Sequence, residues 1–221
     1  MLKKERTQAR HFEPRWPVAL AITSVVVLLA LLPGRIRVWP AWVPYVWCFV
    51  VYVPIVAVGL TGGRPMWLRI ERIITLLFFM TVLGGTIANL ANLIDAMAHR
   101  PEGITGLQLL GSSTAIWATF ILTFSMLYWQ VDRGGPEARV NRAGRQPDWF
   151  FPQEGNPVVP EGWQPVYVDY LSLAFQTATA FSTTDVVPLT SRAKMLMMLE
   201  STISLVTIIV IVSRAINILG G

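Results

Sequence analysis

The feature that most constrains this chain is a set of long apolar runs that carry almost no charge. The hydrocarbon core of a bilayer is about 30 Å thick, and about 20 helical residues cross it. Runs of this kind cover roughly residues 40–60, 70–96, 107–129 and 195–219, and a slightly shorter one covers 16–32. Only 14% of the 221 residues are charged, against about 25% in soluble domains. The sequence therefore predicts an all-α integral membrane protein.

The remaining charges and the prolines divide the chain into parts. Four transmembrane helices are predicted before a polar loop, and a C-terminal module follows it. Within that module we expect a re-entrant helix at 168–181, a filter-like loop at 182–190 and a final transmembrane helix at 193–219. The predicted parts are a basic tail (1–15), a four-helix membrane region (16–130), a polar loop (131–166) and the C-terminal module (167–221).

The apolar stretch that opens the C-terminal module is too short to cross a membrane. Its roughly 14 residues cover about 21 Å as a helix. A helix that enters and leaves on one side is the natural interpretation, and a distorted full span over 168–189 is the alternative. Irregular backbone at membrane depth persists only where protein buries it or where it lines water. The stretch therefore points to a pore or a binding site.

Polar and small residues form one stripe on the third predicted helix. Thr81, Gly85, Asn89 and Asn92 are spaced by four, four and three residues, which places them on one helical face. Side-chain amides in hydrocarbon need hydrogen-bond partners. We therefore expect this stripe to face protein and not lipid.

The segment from Thr177 to Thr190 carries a resemblance to a known family. It reads TATAFSTTDVVPLT, and it resembles the end of the pore helix and the filter of potassium channels. Thr177 and Thr179 match the pore-helix threonines of that family. The outer flank of the filter is matched by Asp185, Pro188 and Thr190, and Lys194 fits the basic residue that opens the inner helix. The resemblance implies a tetramer that forms a shared pore for monovalent cations.

The chain departs from that family where the filter chemistry lies. Ser182 and Thr184 replace the two glycines that let the backbone aim its carbonyls inward. A potassium filter of the usual geometry is therefore not expected. We expect instead a wider site that is lined by hydroxyl groups and carries a ring of Asp185 carboxylates. The predicted filter-like residues are Thr177, Thr179, Ala180, Phe181, Ser182, Thr183, Thr184 and Asp185.

A second polar stripe runs along the final helix. Glu200, Ser204, Thr207 and Ile211 share one face, and an ionisable residue inside a span is by default a functional-site hypothesis. One interpretation is a pore-lining stripe. The other is that Glu200 pairs with a basic residue such as Lys194 or reaches the interface, while the hydroxyls bond back to their own helix.

The whole chain is also similar to an uncharacterised family of small bacterial inner-membrane proteins. The likeness rests on the aromatic end of the fourth helix (124–129), the Asp-Trp-Phe-Phe-Pro element (148–152), the Phe-Gln pair at 175–176 and the Thr-Asp pair at 184–185. This similarity supports the architecture and implies no activity.

Basic residues predict the orientation. Twelve Lys and Arg side chains lie in the N-terminal tail, around 64–72 and in the 131–166 loop, and three lie on the other side. The positive-inside rule places the twelve in the cytoplasm, in the inner (plasma) membrane. Potassium channels admit their pore loop from outside, so the two signals conflict. Three explanations of this conflict are open: the pore is inverted, the helix count is wrong by one, or the resemblance is false. We favour the inverted pore.

The sequence thus predicts a cation-channel-like membrane protein with weak or altered ion selectivity. We expect it to form a homo-tetramer in the lipid bilayer. The alternative is a non-conducting scaffold or a transporter that keeps a pore-like fold. No nucleic-acid partner, cofactor or metal is expected, and a single cysteine, Cys48, excludes an intrachain disulfide. The two histidines lie outside the interiors of the spans, so no catalytic pairing is visible and an enzyme is not predicted.

Overall fold

A computed structural model describes residues 13–62, 64–99, 105–140, 146–160, 162–179 and 185–219. Over these residues the chain is almost entirely helical, with one two-stranded antiparallel ladder. The elements are α1 (Trp16–Leu31), α2 (Val43–Leu60), α3 (Pro65–His99), α4 (Gly106–Val131), a 3-10 turn (Asp132–Gly134), α5 (Pro136–Val140), β1 (Trp149–Phe150), α6 (Tyr167–Thr179), β2 (Val187–Pro188) and α7 (Ser191–Leu219).

Four of these helices, α2, α3, α4 and α7, are long and apolar enough to cross a membrane. Their outward faces carry large apolar side chains, such as Phe49, Met80 and Leu205, as lipid contact requires. The first predicted span forms a helix with nearly the expected bounds, but this helix is not among the four candidate spans. α1 has 16 residues and a length of about 24 Å, which is short of the usual hydrocarbon thickness, because Pro33 and Gly34 end the run early.

Helix α4 lies at the centre of the protein. It contacts α1, α3, α6 and α7, and its second half is buried almost continuously from Thr119 to Gln130. A capping box fixes its start, because Thr105 accepts from the backbone of Gln108 while the Gln108 side chain accepts from the Thr105 N–H. Buried aromatic residues then fill its surroundings, and Phe124 packs edge-on against Phe79 of α3. A helix surrounded on all sides by other helices needs an uncharged sequence all round, which α4 has.

The polar stripe of α3 faces protein, as predicted. The Asn89 Oδ1 accepts from the Val38 N–H at 2.8 Å, and the Asn92 side chain donates to the Ile36 carbonyl at 3.1 Å. Gly85 lies directly under Trp39, where an added Cβ would come within 2.3 Å of the indole nitrogen. The stripe therefore holds the α1–α2 connection against α3 at one end of the bundle.

Helices α6 and α7 both begin at the opposite end of the bundle, where α4 ends. The ladder pairs Phe150 with Val187 just before α7, and the Leu189 N–H donates to the Asp148 carbonyl at 2.8 Å. The chain therefore runs inward along α6 and is back at its starting end by β2. The observed helix bounds lie within two residues of the predicted 168–181 and 193–219.

The segment predicted as a polar loop at 131–166 has more structure than expected. It contains the 3-10 turn, α5 and β1, and several of its side chains are buried, among them Asp132, Arg139, Asp148 and Trp149. A segment of polar composition folds back here because the ends of α4, α6 and α7 offer buried hydrogen-bond partners for its charges. We call this group of buried residues, together with Glu13 and Tyr170, the polar base.

Candidate functional site

The inner end of α6 is attached to α7 by hydroxyl groups. The Ser204 Oγ donates to the Ala178 carbonyl at 2.7 Å, and the Ser201 Oγ donates to the Thr177 carbonyl at 3.3 Å. The last four carbonyls of any helix lack partners within the helix. Two of the four in α6 are thus satisfied by α7, which attaches the C-terminal end of α6 to α7.

Helix α4 completes this contact, which we call the inner junction. The Trp117 indole N–H donates to the Ser204 Oγ at 2.8 Å, and the Trp117 ring packs edge-on against Phe175 of α6 at 6.2 Å between centroids. Ser204 is therefore both donor and acceptor between three helices. The hydroxyl thus uses its one O–H donor and one of its two acceptor lone pairs.

Glu200 lies one turn nearer the polar base on the same face of α7. Its side chain is buried, and the Tyr128 hydroxyl of α4 donates to its Oε2. Thr207 is also buried and bonds back to the Ile203 carbonyl at 2.9 Å, while Ile211 is half-buried. The stripe thus faces the interior of the protomer. This placement differs from the predicted pore wall, and Glu200 pairs with Tyr128 and not with Lys194, which is exposed.

The structure places three of the eight predicted filter-like residues. Thr177 is buried and its hydroxyl donates to the Leu173 carbonyl, and Thr179 bonds to the Gln176 carbonyl at 3.1 Å. Asp185 is exposed on the return path. The other five residues, Ala180, Phe181, Ser182, Thr183 and Thr184, lie outside the described residues.

The polar base holds the outer end of α6 through Asp132. This carboxylate is fully buried, accepts from the Tyr170 hydroxyl at 2.5 Å and accepts from the Asp148 N–H at 2.8 Å. Burial raises the pKa of Tyr170 well above its ordinary value, so the phenol keeps its proton and donates. A buried carboxylate with several donors is stable because each donor replaces a lost water.

Glu13 and Arg139 form a second buried pair beside Asp132. The Arg139 guanidinium lies 3.2 Å from the Glu13 Oε2 and donates to the Trp129 carbonyl at 2.6 Å. Glu13 also accepts from the Trp129 indole at 2.7 Å and from the Tyr167 N–H at 3.0 Å. The pair therefore connects the start of α1, the end of α4 and the first residue of α6.

Asp148 attaches the start of α7 to the same base. It accepts from the Thr190 hydroxyl at 2.7 Å and pairs with the Arg192 guanidinium at 2.5 Å, while its own side chain is almost fully buried. Both chain segments that flank the re-entrant stretch, one at α6 and one at α7, are thus fixed to one charged structure.

Sequence reasoning did not single out Glu13, Asp132 or Arg139. It assigned their charges to a tail and a loop, where charges are usually solvated. The signal that pointed toward the base was the Asp-Trp-Phe-Phe-Pro element, since Trp149 and Phe151 are both buried beside Asp148. Two aromatic residues next to an acid in a proline-rich loop indicate a packed segment.

Among the described residues, no cluster of histidine, cysteine, aspartate and glutamate side chains has the grouping that a metal ion requires. Comparisons with models of protein families, with curated proteins and with solved structures find no match for the chain. Fold and site together define an all-helical protein with four helices that are long and apolar enough to cross a membrane. Its short helix α6 runs into the bundle, and by β2 the chain is back at the end where α6 begins.

Proposed function

We propose that this protein is a cation-channel-like membrane protein in which the 177–185 segment forms the constriction of a pore shared by four copies. The observation that supports it is the path of α6. This 13-residue helix packs between α4 and α7 and the chain returns to its starting end. An outer helix, a short pore helix and an inner helix in this order make up the pore unit of the potassium channels that the sequence resembles.

The proposal assigns the pore wall to a different face of α7 from the one predicted. The Glu200 stripe is occupied by contacts with α4 and α6. The opposite face is exposed in the single chain and carries Leu199, Thr202, Val206, Ile209 and Ser213. In a tetramer this face would line a mostly apolar passage inward of the filter-like segment.

Charge supports an entry of the pore loop from the cytoplasm. The end where α6 begins carries basic residues such as Arg69, Arg72 and Arg192, and Arg35 and Arg37 lie at the other end. We therefore propose that the N-terminus and the 131–166 segment are cytoplasmic in the inner membrane. A cysteine placed at residue 3 and labelled in intact cells tests this, and a reaction with an impermeant reagent outside the cell would contradict it.

Cation flux into liposomes tests conduction directly. We expect flux from the purified protein, a clear reduction with Asp185→Asn and altered ion preference with Ser182→Gly, because the carboxylate ring and the backbone geometry act on the permeant ion. Asp95→Asn is the matched control, since it removes an exposed carboxylate near the C-terminal end of α3, away from the filter-like segment. Equal flux from the parent protein and Asp185→Asn would contradict the proposed constriction.

A non-conducting scaffold or a transporter with a pore-like fold is the second candidate. Two observations favour it: serine and threonine occupy the filter glycine positions, and the polar face of α7 is turned into the protomer. Stoichiometry in mild detergent separates the candidates. A tetramer supports the shared pore, whereas a monomer without flux in any variant supports the second candidate.

A further inference from the structure

An arginine-lined cleft lies at the end of the bundle that carries the polar base, separate from α6 and α7. It has a volume of about 590 Å³ and opens between the first two turns of α3 and the turn that joins α4 to α5. Gly134 and Gly135 adopt positive φ angles of 87° and 105°, which only glycine tolerates well. Their turn carries Pro136 and Glu137 to the far wall of the cleft.

The charge of the cleft favours an anion. Arg15 pairs with Glu71 at 3.0 Å, so these two charges balance each other. Arg69 and Arg72 also line the cleft and are exposed, and the Glu137 carboxylate on the far wall offsets one of their charges. Three arginines against two glutamates leave the lining with a net positive charge. Arg72 donates through Nη1 to the Gly134 carbonyl at 2.9 Å, which leaves most of its five N–H donors available. Two guanidiniums on adjacent helical turns suit a phosphate group, which accepts forked hydrogen bonds from arginine.

The cleft also contains an acceptor without a partner. Gln130 lines it and is 4% exposed, and its Oε1 has no hydrogen-bond partner among the described residues. A buried side-chain carbonyl in that state costs free energy unless a donor reaches it. A ligand that satisfies the whole cleft therefore carries an N–H or O–H donor besides its phosphate.

The position of the cleft identifies the source of such a ligand. Exposed apolar side chains of α3, Met66, Ile73 and Leu77, flank Arg69 and Arg72. The arginines therefore lie where the apolar surface of a candidate spanning helix ends, at the depth of lipid headgroups. A lipid whose tails cover that apolar surface would bring its phosphate to the two guanidiniums.

We propose that this cleft is a binding site for an anionic phospholipid with a hydroxylated headgroup, of the phosphatidylglycerol type. Arg69 and Arg72 bind the phosphate, and the Gln130 Oε1 accepts from a headgroup hydroxyl. The site does not depend on conduction, because neither α6 nor α7 contributes a residue to it.

Native mass spectrometry of the full chain in detergent, with added phosphatidylglycerol, tests the site. We expect Arg69→Gln combined with Arg72→Gln to lower phosphatidylglycerol binding about tenfold or more, since one basic residue near an anionic lipid contributes on the order of a fivefold change. The matched control is Arg35→Gln with Arg37→Gln, which removes equal charge at the other end of the bundle. Equal loss in both double variants, or equal parent binding of phosphatidylcholine, would overturn the proposal.

The hydroxyl contact has its own readout. The parent chain should prefer phosphatidylglycerol to phosphatidic acid, and Gln130→Met, which keeps the side-chain volume, should remove that preference while both lipids still bind. A preference that persists in Gln130→Met would overturn the assignment of Gln130.

Inorganic phosphate serves as a competitor: failure to displace the lipid supports a headgroup site, and displacement at millimolar concentration would show a site for soluble anions instead. Melting temperatures without added lipid identify any variant that fails to fold.

Discussion

The two ends of the re-entrant unit are held by different kinds of interaction. At the polar base, α6 and α7 are attached through buried ions: Asp132 with Tyr170, Glu13 with Arg139, and Asp148 with Arg192. At the inner junction they are attached through neutral hydroxyls, chiefly Ser204 with the Ala178 carbonyl. The charges lie at one end of the bundle and the hydroxyls lie further along it, which is the arrangement that a membrane requires, because the cost of burying an ion rises steeply with depth.

The attachment at the polar base is therefore intolerant of change, whereas the attachment at the inner junction is adjustable. Breaking one partner of a buried ion pair leaves an uncompensated charge. Removing one hydroxyl leaves a helix-end carbonyl that neighbouring groups or water can still satisfy. Substitutions at the two places, measured by unfolding in mixed micelles, should therefore differ in size.

The largest effect is expected from Arg139→Met. The substitution leaves Glu13 buried with its indole and backbone donors but without its cation, and it should lower the free energy of unfolding by about 3–5 kcal/mol. Denaturation with a rising fraction of sodium dodecyl sulfate measures the change. Arg69→Met is the control, because that arginine is exposed. A similar small loss in both variants would mean that the Glu13–Arg139 pair does not hold the base.

A smaller loss is expected from Asp132→Asn. The amide keeps one acceptor oxygen but turns an N–H₂ group toward one of its two hydrogen-bond donors, the Tyr170 hydroxyl or the Asp148 N–H. It also removes the negative charge that lies 3.5 Å from the Arg133 guanidinium, which keeps its pair with Glu154. Loss of one buried hydrogen bond should cost about 1–3 kcal/mol. Adding Tyr170→Phe removes the donor that faces the new N–H₂ group, so the double variant should lose less stability than the sum of the losses in the two single variants. Losses that simply add would contradict a direct contact between Asp132 and Tyr170.

At the inner junction, Ser204→Ala should cost about 0.6–1.7 kcal/mol, the range for interhelical hydrogen bonds in membranes. Ser201→Ala is the matched comparison and should cost less, because its hydrogen bond to α6 is longer, 3.3 Å against 2.7 Å. The same mixed-micelle denaturation measures both variants. A loss at Ser201 equal to or above that at Ser204 would contradict the role of Ser204 as the link between three helices.

The smallest effect is expected from Glu200→Gln. The amide oxygen still accepts from the Tyr128 hydroxyl, and the substitution removes any charge from a buried position. Stability should therefore stay close to that of the parent chain, whereas Glu200→Leu, which leaves the phenol without its acceptor, should lower it. If Glu200→Gln destabilises as strongly as Glu200→Leu, Glu200 has a partner besides Tyr128 that needs the carboxylate.

Most of the helical architecture was predictable because apolar run length and membrane thickness are both simple quantities. The short length of α6 follows from the polar residues at 182–185, which end its apolar stretch, and α7 begins directly after Pro188 and Thr190. The Asn89 and Asn92 stripe was predictable for the same reason, since an amide in a long apolar run has to find protein partners. The length of α1 was predictable from its 16–32 run, but the prediction that this helix spans a membrane is not supported, because 16 residues cover only about 24 Å.

The partners of the buried charges were not predictable. Glu13 and Arg139 are 126 residues apart in the chain, and no local pattern connects them. Glu200 was predicted to line a pore from its position on one face of the helix. That position does not determine whether a neighbouring helix or a passage lies against the face. The position of α4 decides this, because Tyr128 and Trp117 cover the Glu200 and Ser204 side of α7.

Run length in the sequence was enough to predict the long apolar helices and their order, because long uncharged runs are stable only in apolar surroundings and a 13-residue helix is too short to cross a bilayer. Which polar residues meet depends on how the helices pack in three dimensions. A buried charge or hydroxyl takes whichever partner the packing of the helices brings within about 3 Å, and that packing depends on contacts spread over the whole chain.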